Sequence, residues 1–200
     1  MRLAGLLLAA GAGRRMGRPK ALLRDAHGVW FLDRAVAVLR EGGCDRVTVV
    51  LGASADDARP LLEAAGRAVD VVDAVVAEDW DEGMGASLRA GLEALAAGDA
   101  EAALVTLVDL PDVDGRVLRR VVEAGLSAGP RALVRTTYDG RPGHPVLLGR
   151  EHWAGVAASA TGDEGARRYL AAHEVTEVDC TGLADPTDLD VPPGGVPSAP

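Results

Sequence analysis

The chain has 200 residues, of which 48% are hydrophobic and 3% aromatic, and its formal net charge is −9. This length and apolar content suit one domain with a sizeable core, built mainly from Ala, Val and Leu. The negative charge argues against a nucleic acid or an anionic membrane surface as a partner, because both are bound through clustered Lys and Arg.

Apolar runs alternate along the chain with segments of helical period, which is typical of βα units around a mostly parallel sheet. Strands are predicted at 3–9, 46–51, 70–77, 102–108, 131–137 and 175–179. Helices are predicted at 31–41, 55–66, 86–97, 115–127, 149–158 and 163–173. The predicted fold class is therefore α/β, with three layers (α/β/α) around a mostly parallel, Rossmann-like sheet that binds ligands beyond the carboxyl ends of its strands.

The end of the chain has no periodic apolar pattern, so we expect one domain over 1–192 and a disordered tail over 193–200. No apolar stretch reaches the roughly 18 residues that a membrane span requires. The first residues lack a charged region before a cleavage site, and the two cysteines do not form a CxxC motif. We therefore expect a cytoplasmic protein with reduced cysteines.

The segment LLLAAGAGRRMGRPK (6–20) follows the first predicted strand and ends on Lys20, the single lysine beside twenty arginines. Gly11 and Gly13 allow close backbone approach, and loop N–H groups at such a strand end point at bound phosphate. A lysine meets one phosphate oxygen as a compact charge, which the planar arginine fork does not reproduce. Further positive charge comes from Arg14, Arg15 and Arg18. The segment predicts a phosphate cradle, although the first and last of these arginines are equally well explained as solvated surface charge.

The same segment has the glycine spacing GxGxxxG, formed by Gly11, Gly13 and Gly17. This spacing leaves an NAD(P)-binding oxidoreductase as an alternative, but it is weak evidence on its own. It also accounts for neither Lys20 nor the aspartates described next.

Asp109 directly follows the apolar run LVTLV (104–108), and Pro111 directs the chain away from the sheet. A carboxylate at a buried strand end needs a hydrogen bond, an ion pair or a metal. Loop capping is one interpretation. The better interpretation is that Asp109 binds Mg²⁺, because a phosphate loop is predicted at the same sheet edge. Mg²⁺ binds one or two carboxylates together with substrate phosphates. The second carboxylate would be Asp188 or Asp190, and the sequence does not decide between them.

Three later segments contain further candidates. In GMGAS (83–87) two glycines precede a predicted helix, so free N–H groups and the Ser87 hydroxyl are available to a ligand, with an N-cap at Ser87 as the alternative. His144, between Gly and Pro, is either a structural histidine or a substrate contact. Arg167 and Arg168 either face a phosphorylated substrate or decorate a solvated helix end.

These segments resemble the motifs of the MobA-like nucleotidyltransferases. The signature LAAGxGxRMGxxK of that family runs without a gap from Leu8 to Lys20. The resemblance covers about residues 3–192 and is greatest to the molybdenum cofactor cytidylyltransferases. Their later motifs are similar to DWDEGMGASLRAG (79–91), VDLP (108–111), GRPGHPVL (140–147), GDEGARRYL (162–170) and DLDVP (188–192). The last of these departs most from the family, with Val191 for Thr and without the acidic residues that usually follow.

The resemblance implies an enzyme with a nucleotidyltransferase sheet that uses Mg²⁺ to transfer CMP from CTP to the terminal phosphate of molybdopterin. It implies catalytic roles for Arg15, Lys20 and Asp109. The implied nucleotide site comprises Leu8, Ala9, Ala10, Gly11, Gly13, Arg15, Lys20, Gly85, Ser87 and Asp109. The implied acceptor residues are Arg141, Gly143 and His144, and the implied metal ligands are Asp109, Asp188 and Asp190.

The base and the partners follow from the same resemblance. Ala10 stands where guanylyltransferase relatives commonly have Gly, and its methyl group narrows the base site, which favours CTP over GTP. The expected partners are CTP and molybdopterin, with a molybdoenzyme apoprotein as a further one. Two alternatives remain: transfer to another phosphorylated acceptor, and a non-catalytic protein that handles the molybdenum cofactor.

Overall fold

The computed structural model describes residues 1–14, 16–64 and 72–187. The strands are β1 (Leu3–Leu8), β2 (Arg46–Leu51), β3 (Val72–Val76), β4 (Ala102–Leu107), β5 (Leu133–Tyr138), β6 (Arg141–Gly149) and β7 (Thr176–Asp179). The α-helices are α1 (Phe31–Glu41), α2 (Ala55–Ala64), α3 (Met84–Ala96), α4 (Gly115–Gly125), α5 (Trp153–Ser159) and α6 (Arg167–Ala171). None of these helices combines the length and the apolar character needed to cross a bilayer.

The seven described strands form one sheet in the order β3-β2-β1-β4-β6-β5-β7. β6 runs antiparallel to both of its neighbours, and the other strands are parallel to one another. β1 and β4 pair in register up to Leu8 and Leu107. The loops that follow these two strands therefore leave the sheet side by side, and this places Lys20 and Asp109 at one edge.

The sheet separates two hydrophobic cores. Because successive strand residues point to opposite faces, Leu3 and Leu7 of β1 pack with α1, α2 and α4, whereas Leu6 and Leu8 pack with α3, α5 and α6. Helices thus cover both faces of a mostly parallel sheet. The predicted α/β class with three layers is confirmed.

Several predicted elements differ from the structure. α1 and β2 have the predicted bounds, while α3 begins two residues before the predicted start at 86. The helices predicted from 149 and 163 begin instead as short 3₁₀ turns (Arg150–His152 and Gly162–Glu164), and α6 follows Gly165, whose φ of 53° interrupts the helix. The predicted helix end at 66 and strand start at 70 lie outside the described residues.

β6 was not predicted as a strand. Its first half, RPGHP, contains two prolines and a glycine, which are residues typical of loops. Pairing with β4 on one side and β5 on the other nevertheless makes this segment extended. Its antiparallel direction brings residues 141–144 past the paired part of β4, towards the sheet edge where β4 ends.

Candidate active site

A cavity of about 460 Å³ opens at the carboxyl edge of β1 and β4, beside the N-terminus of α3. Its lining residues are 8–14, 16, 20, 80–84, 87, 107–109 and 163. The predicted nucleotide-site residues that line it are Leu8, Ala9, Ala10, Gly11, Gly13, Lys20, Ser87 and Asp109. Arg15 lies outside the described residues, so its catalytic and nucleotide-binding roles stay predictions.

The two glycines of the phosphate loop have different structural roles. Gly13 has a φ of 62°, and a Cβ atom there would lie 1.9 Å from the carbonyl oxygen of Arg18. The loop therefore folds back on itself only with glycine at this position. A Cβ atom at Gly11 would meet nothing within 4 Å. Gly11 thus leaves open space on the cavity wall, which a ligand can occupy.

Lys20 and Asp109 form an ion pair inside the cavity. The Nζ of Lys20 lies 2.7 Å from Oδ2 of Asp109, and the two side chains are 16% and 15% exposed. Lys20 begins a 3₁₀ turn after Pro19, whereas Asp109 follows the end of β4 by two residues. No backbone N–H group of the described residues donates to the Asp109 carboxylate, so the loop-capping interpretation is not supported.

The residues of this site fit a metal that arrives with the nucleotide. Among the described residues, no group of three His, Cys, Asp or Glu side chains forms a metal site by itself. Mg²⁺ does not require one, because it takes its remaining ligands from phosphates and water. Asp109 lines the cavity, and its metal-binding role stays a prediction. Asp188 and Asp190 lie outside the described residues, and their metal-binding roles stay predictions.

The N-terminus of α3 forms a second wall of the cavity. The N-cap is Gly83, which provides no side-chain hydrogen bond, so the first N–H groups of the helix lack an intrahelical partner. Ser87 lies one turn inside the helix, so the interpretation of Ser87 as an N-cap is wrong. Its side chain is buried and its hydroxyl has no hydrogen-bond partner among the described residues. The helix end can therefore bind an anion or a polar ligand group.

The glycines of the GMG segment allow close packing against the turn at 160–163. A Cβ atom at Gly83 would lie 2.6 Å from the carbonyl carbon of Gly162, and one at Gly85 would lie 2.7 Å from the amide nitrogen of Thr161. Gly85 therefore faces this turn and is not among the cavity-lining residues, and its place in the nucleotide site stays a prediction. The same packing brings Asp163 to the cavity.

Asp163, Trp80 and Arg89 were not predicted from the sequence. Arg89 on α3 donates one hydrogen bond to the carbonyl of Ala160 and another to the carboxylate of Glu82, both at 2.8 Å. It therefore connects the 160–163 turn to the segment that precedes α3. A Cβ atom at Gly52 would lie 2.6 Å from the Cβ of Trp80. The glycine therefore leaves room for Trp80, which lines the cavity. These residues make long-range contacts that no local pattern reveals.

The two sides of the cavity differ in charge. Arg14 and the Lys20–Asp109 ion pair lie on the glycine-loop side, whereas Asp81, Glu82 and Asp163 form the negative wall on the other side. The cations of the glycine-loop side suit phosphates. The negative wall suits ligand groups that donate hydrogen bonds, such as the amino group of a base.

The predicted acceptor residues lie on β6, outside the cavity lining. The pairing of β5 with β6 changes from Arg135↔Val146 to Thr136↔Gly143, which leaves His144 and Pro145 in a bulge. The hydroxyl of Tyr138 donates to the His144 carbonyl at 3.0 Å and supports this bulge. Arg141 is exposed at the hairpin end of the strand.

Burial lowers the pKa of His144 from 6.5 to about 4, although the negative charge of Asp109 opposes this shift. The positive charge of Arg167 lowers the same pKa further. His144 is therefore neutral near pH 7, and Asp109 and Arg167 are its electrostatic neighbours. The bulge thus holds a neutral imidazole beside the ion-paired carboxylate.

We predict that His144 makes stability depend on pH. Because its folded pKa of about 4 is below the unfolded value of 6.5, the folded state loses stability as the pH falls through this interval. The full effect is on the order of 3 kcal/mol at about 1.4 kcal/mol per pKa unit. Urea unfolding at about pH 7 and about pH 4.5 should show a smaller loss for His144→Gln than for the parent. An equal loss in both proteins would contradict the prediction.

Phosphate-binding features at the carboxyl edge of such a sheet are typical of nucleotide-binding α/β proteins. The chain belongs to the family described as the MobA-like NTP transferase domain, which it matches over residues 5–178. The predicted family is confirmed.

Proteins similar to this chain have names that denote different activities. The nicotine blue oxidoreductase of Paenarthrobacter nicotinovorans is 37% identical over 93% of this chain and 91% of its own. The molybdenum cofactor guanylyltransferase of Rhodobacter capsulatus is 31% identical over 76% of this chain and 66% of its own. The structure of Rv0371c from Mycobacterium tuberculosis H37Rv has a TM-score of 0.78 and 30% identity, covering 96% of this chain and 94% of that one. Rv0371c has also been solved in complex with manganese.

Proposed function

We propose that this protein is a cytidylyltransferase that transfers CMP from CTP to the terminal phosphate of molybdopterin and releases pyrophosphate. The observation that carries the proposal is the Lys20–Asp109 ion pair beside the glycine loop. It supports the proposal because a cation that can meet phosphates and a carboxylate that can bind a divalent metal line the same cavity. As parts of this proposal, residues 1–192 form one domain, and the protein works in the cytoplasm with a molybdoenzyme apoprotein as a further partner.

The residues of the cavity can support the transfer by positioning and electrostatics. The triphosphate lies along the glycine loop, and Lys20 exchanges part of its contact with Asp109 for a phosphate oxygen. An oxygen of the acceptor phosphate attacks the α-phosphorus, and the bond from that phosphorus to the leaving pyrophosphate breaks. Asp109 would hold Mg²⁺, which would supply positive charge for the phosphates. Pyrophosphate leaves with the bonding electron pair, stabilised by the loop cations.

The assignment of CTP rests on Ala10. Its side chain is 5% exposed and belongs to the cavity wall, and its carbonyl accepts a hydrogen bond from Ala53. In this proposal the Ala10 methyl group lies at the base site and reduces its width. GTP is the alternative nucleotide, because the relative from Rhodobacter capsulatus is named a guanylyltransferase. Another phosphorylated compound is the alternative acceptor.

An oxidoreductase is the second candidate, because of the relative from Paenarthrobacter nicotinovorans that matches 93% of this chain. The glycine spacing at positions 11, 13 and 17 is compatible with it. The Lys20–Asp109 pair has no evident part in hydride transfer, which is why we place this candidate second. A cofactor-handling protein without turnover would bind the same ligands but release no pyrophosphate.

Nucleotide binding separates these candidates. With Mg²⁺ present, we expect CTP to raise the melting temperature more than GTP or NADPH, because the Ala10 methyl group would favour the smaller pyrimidine base. A ligand at about 100 times its Kd stabilises a protein by about 2.7 kcal/mol, which is readily measured. Equal shifts with CTP and GTP would contradict the cytidylyl assignment, and a shift with NADPH alone would favour the oxidoreductase. Pyrophosphate release with each NTP and purified molybdopterin then tests turnover.

A further inference from the structure

Two neighbouring arginines at the start of α6 differ in their environment. Arg167 and Arg168 are both exposed. The Nε of Arg168 lies 3.9 Å from a carboxylate oxygen of Glu164, one turn earlier. The guanidinium of Arg167 forms neither an ion pair nor a hydrogen bond with any of the described residues. Arg167 is therefore available to an anionic ligand.

The backbone before Arg167 is held at the rim of the cavity. Residues 160–163 pack against Gly83 and Gly85, and a Cβ atom at Gly165 would lie 3.3 Å from the sulfur of Met84. Met84 and Asp163 both line the cavity. The start of α6 is thus positioned by contacts with α3 and not by its own short helix.

The charge of Arg167 acts at the predicted acceptor side. It lowers the pKa of His144, the same residue on which the charge of Asp109 acts in the opposite direction. The charges of Arg167 and Asp109 therefore both act on the residue that lies in the β6 bulge. Arg141, the arginine that the sequence predicts for the acceptor, is exposed at the hairpin and is not among the charges that act on His144.

We infer that Arg167 binds the phosphate group of the acceptor, a phosphomonoester, next to the His144 bulge. This inference rests on the proposed function. Transfer brings an acceptor phosphate towards a nucleotide whose phosphates already occupy the glycine loop, so the acceptor needs a cation outside that loop. A guanidinium without a carboxylate partner can meet a phosphate with two parallel N–H donors.

Steady-state kinetics test this role. We expect Arg167→Ala to raise the KM for purified molybdopterin by about 10- to 100-fold, because hydrogen bonds to charged groups contribute about 1.5–3 kcal/mol. The KM for CTP should stay near the parental value. Arg168→Ala is the matched control and should behave like the parent in both respects. Arg167→Lys should recover part of the loss, since it keeps the charge but loses the bidentate contact.

The inference is overturned if Arg167→Ala and Arg168→Ala have the same KM for molybdopterin. It is also overturned if CTP with Mg²⁺ stabilises Arg167→Ala less than the parent, because the defect would then lie in the nucleotide site or the fold. Either result leaves the proposed function standing if the parent still turns over.

A binding measurement separates this inference from the proposed function. With a non-hydrolysable CTP analogue and Mg²⁺ bound, inorganic phosphate should further raise the melting temperature of the parent and of Arg168→Ala, but not of Arg167→Ala. If no protein releases pyrophosphate, the proposed reaction is wrong, and this phosphate response alone decides on Arg167. Equal phosphate responses in Arg167→Ala and the parent, or no response in the parent, would overturn the inference.

Discussion

Replacing Asp109 with Asn should leave the protein folded and remove most of its nucleotidyl transfer. Asn has nearly the same shape as Asp but lacks the charge that binds a divalent metal. The nearby Lys20 ammonium, 2.7 Å away in the parent, would also lose the negative charge of this partner. We expect turnover to fall on the order of 10²- to 10³-fold, as for loss of a preorganised charge in a dry site. Both side chains retain some solvent contact, so the melting temperature should fall only modestly.

The experiment is pyrophosphate release across a magnesium titration, together with the melting temperature. Asp112→Asn is a suitable control, because Asp112 is an exposed residue of the same loop and does not line the cavity. This control should behave like the parent. A folded Asp109→Asn protein with near-parental turnover at every magnesium concentration would show that the metal assignment is wrong. The prediction for Asp188 and Asp190 would then lose its support.

Lys20→Arg should also lower turnover about 10²- to 10³-fold, although the charge is kept. The lysine ammonium is compact and can exchange Asp109 for a phosphate oxygen. A guanidinium is larger and planar, and it would bind the Asp109 carboxylate through two hydrogen bonds. Such a pair would hold both groups away from the phosphates and the metal.

The comparison uses kcat, the KM for CTP and the thermal shift by CTP. The control is Arg18→Lys, which makes the opposite exchange at an exposed residue of the same loop outside the cavity lining. It should leave kcat, the KM for CTP and the thermal shift at their parental values. Parental turnover in Lys20→Arg would mean that the single lysine has no special role. Loss of folding in Lys20→Arg would instead indicate a structural ion pair, and the melting temperature detects this.

The meeting of Lys20 and Asp109 was predictable because each follows a strand that is recognisable from its apolar run. The carboxyl ends of parallel strands lie at one sheet edge, so strand direction alone brings such residues together. The strand prediction did not specify that β1 and β4 are neighbours. That adjacency comes from the sheet order, and it places the two charges 2.7 Å apart.

The second wall of the cavity was much less predictable. Asp163 lies about 80 residues after Gly83 in the sequence, and it reaches the cavity because Gly83 and Gly85 admit the 160–163 turn at contact distance. The β6 strand was not predicted, and the prolines and glycine in its first half are residues typical of loops. Only its pairing with β4 and β5 reveals that it carries His144 to the same edge.

The sequence by itself determined the α/β class, the glycine loop and the two principal charged residues, because these depend on local periodicity and on strand ends. The tertiary structure alone decided the packing role of Gly85, the position of Ser87 inside α3 and the different environments of Arg167 and Arg168. These properties depend on contacts between segments far apart in the chain. The spacing of apolar and polar residues within one segment does not specify such contacts. Side chains of distant segments pack together only once the sheet order and the helix positions bring those segments side by side.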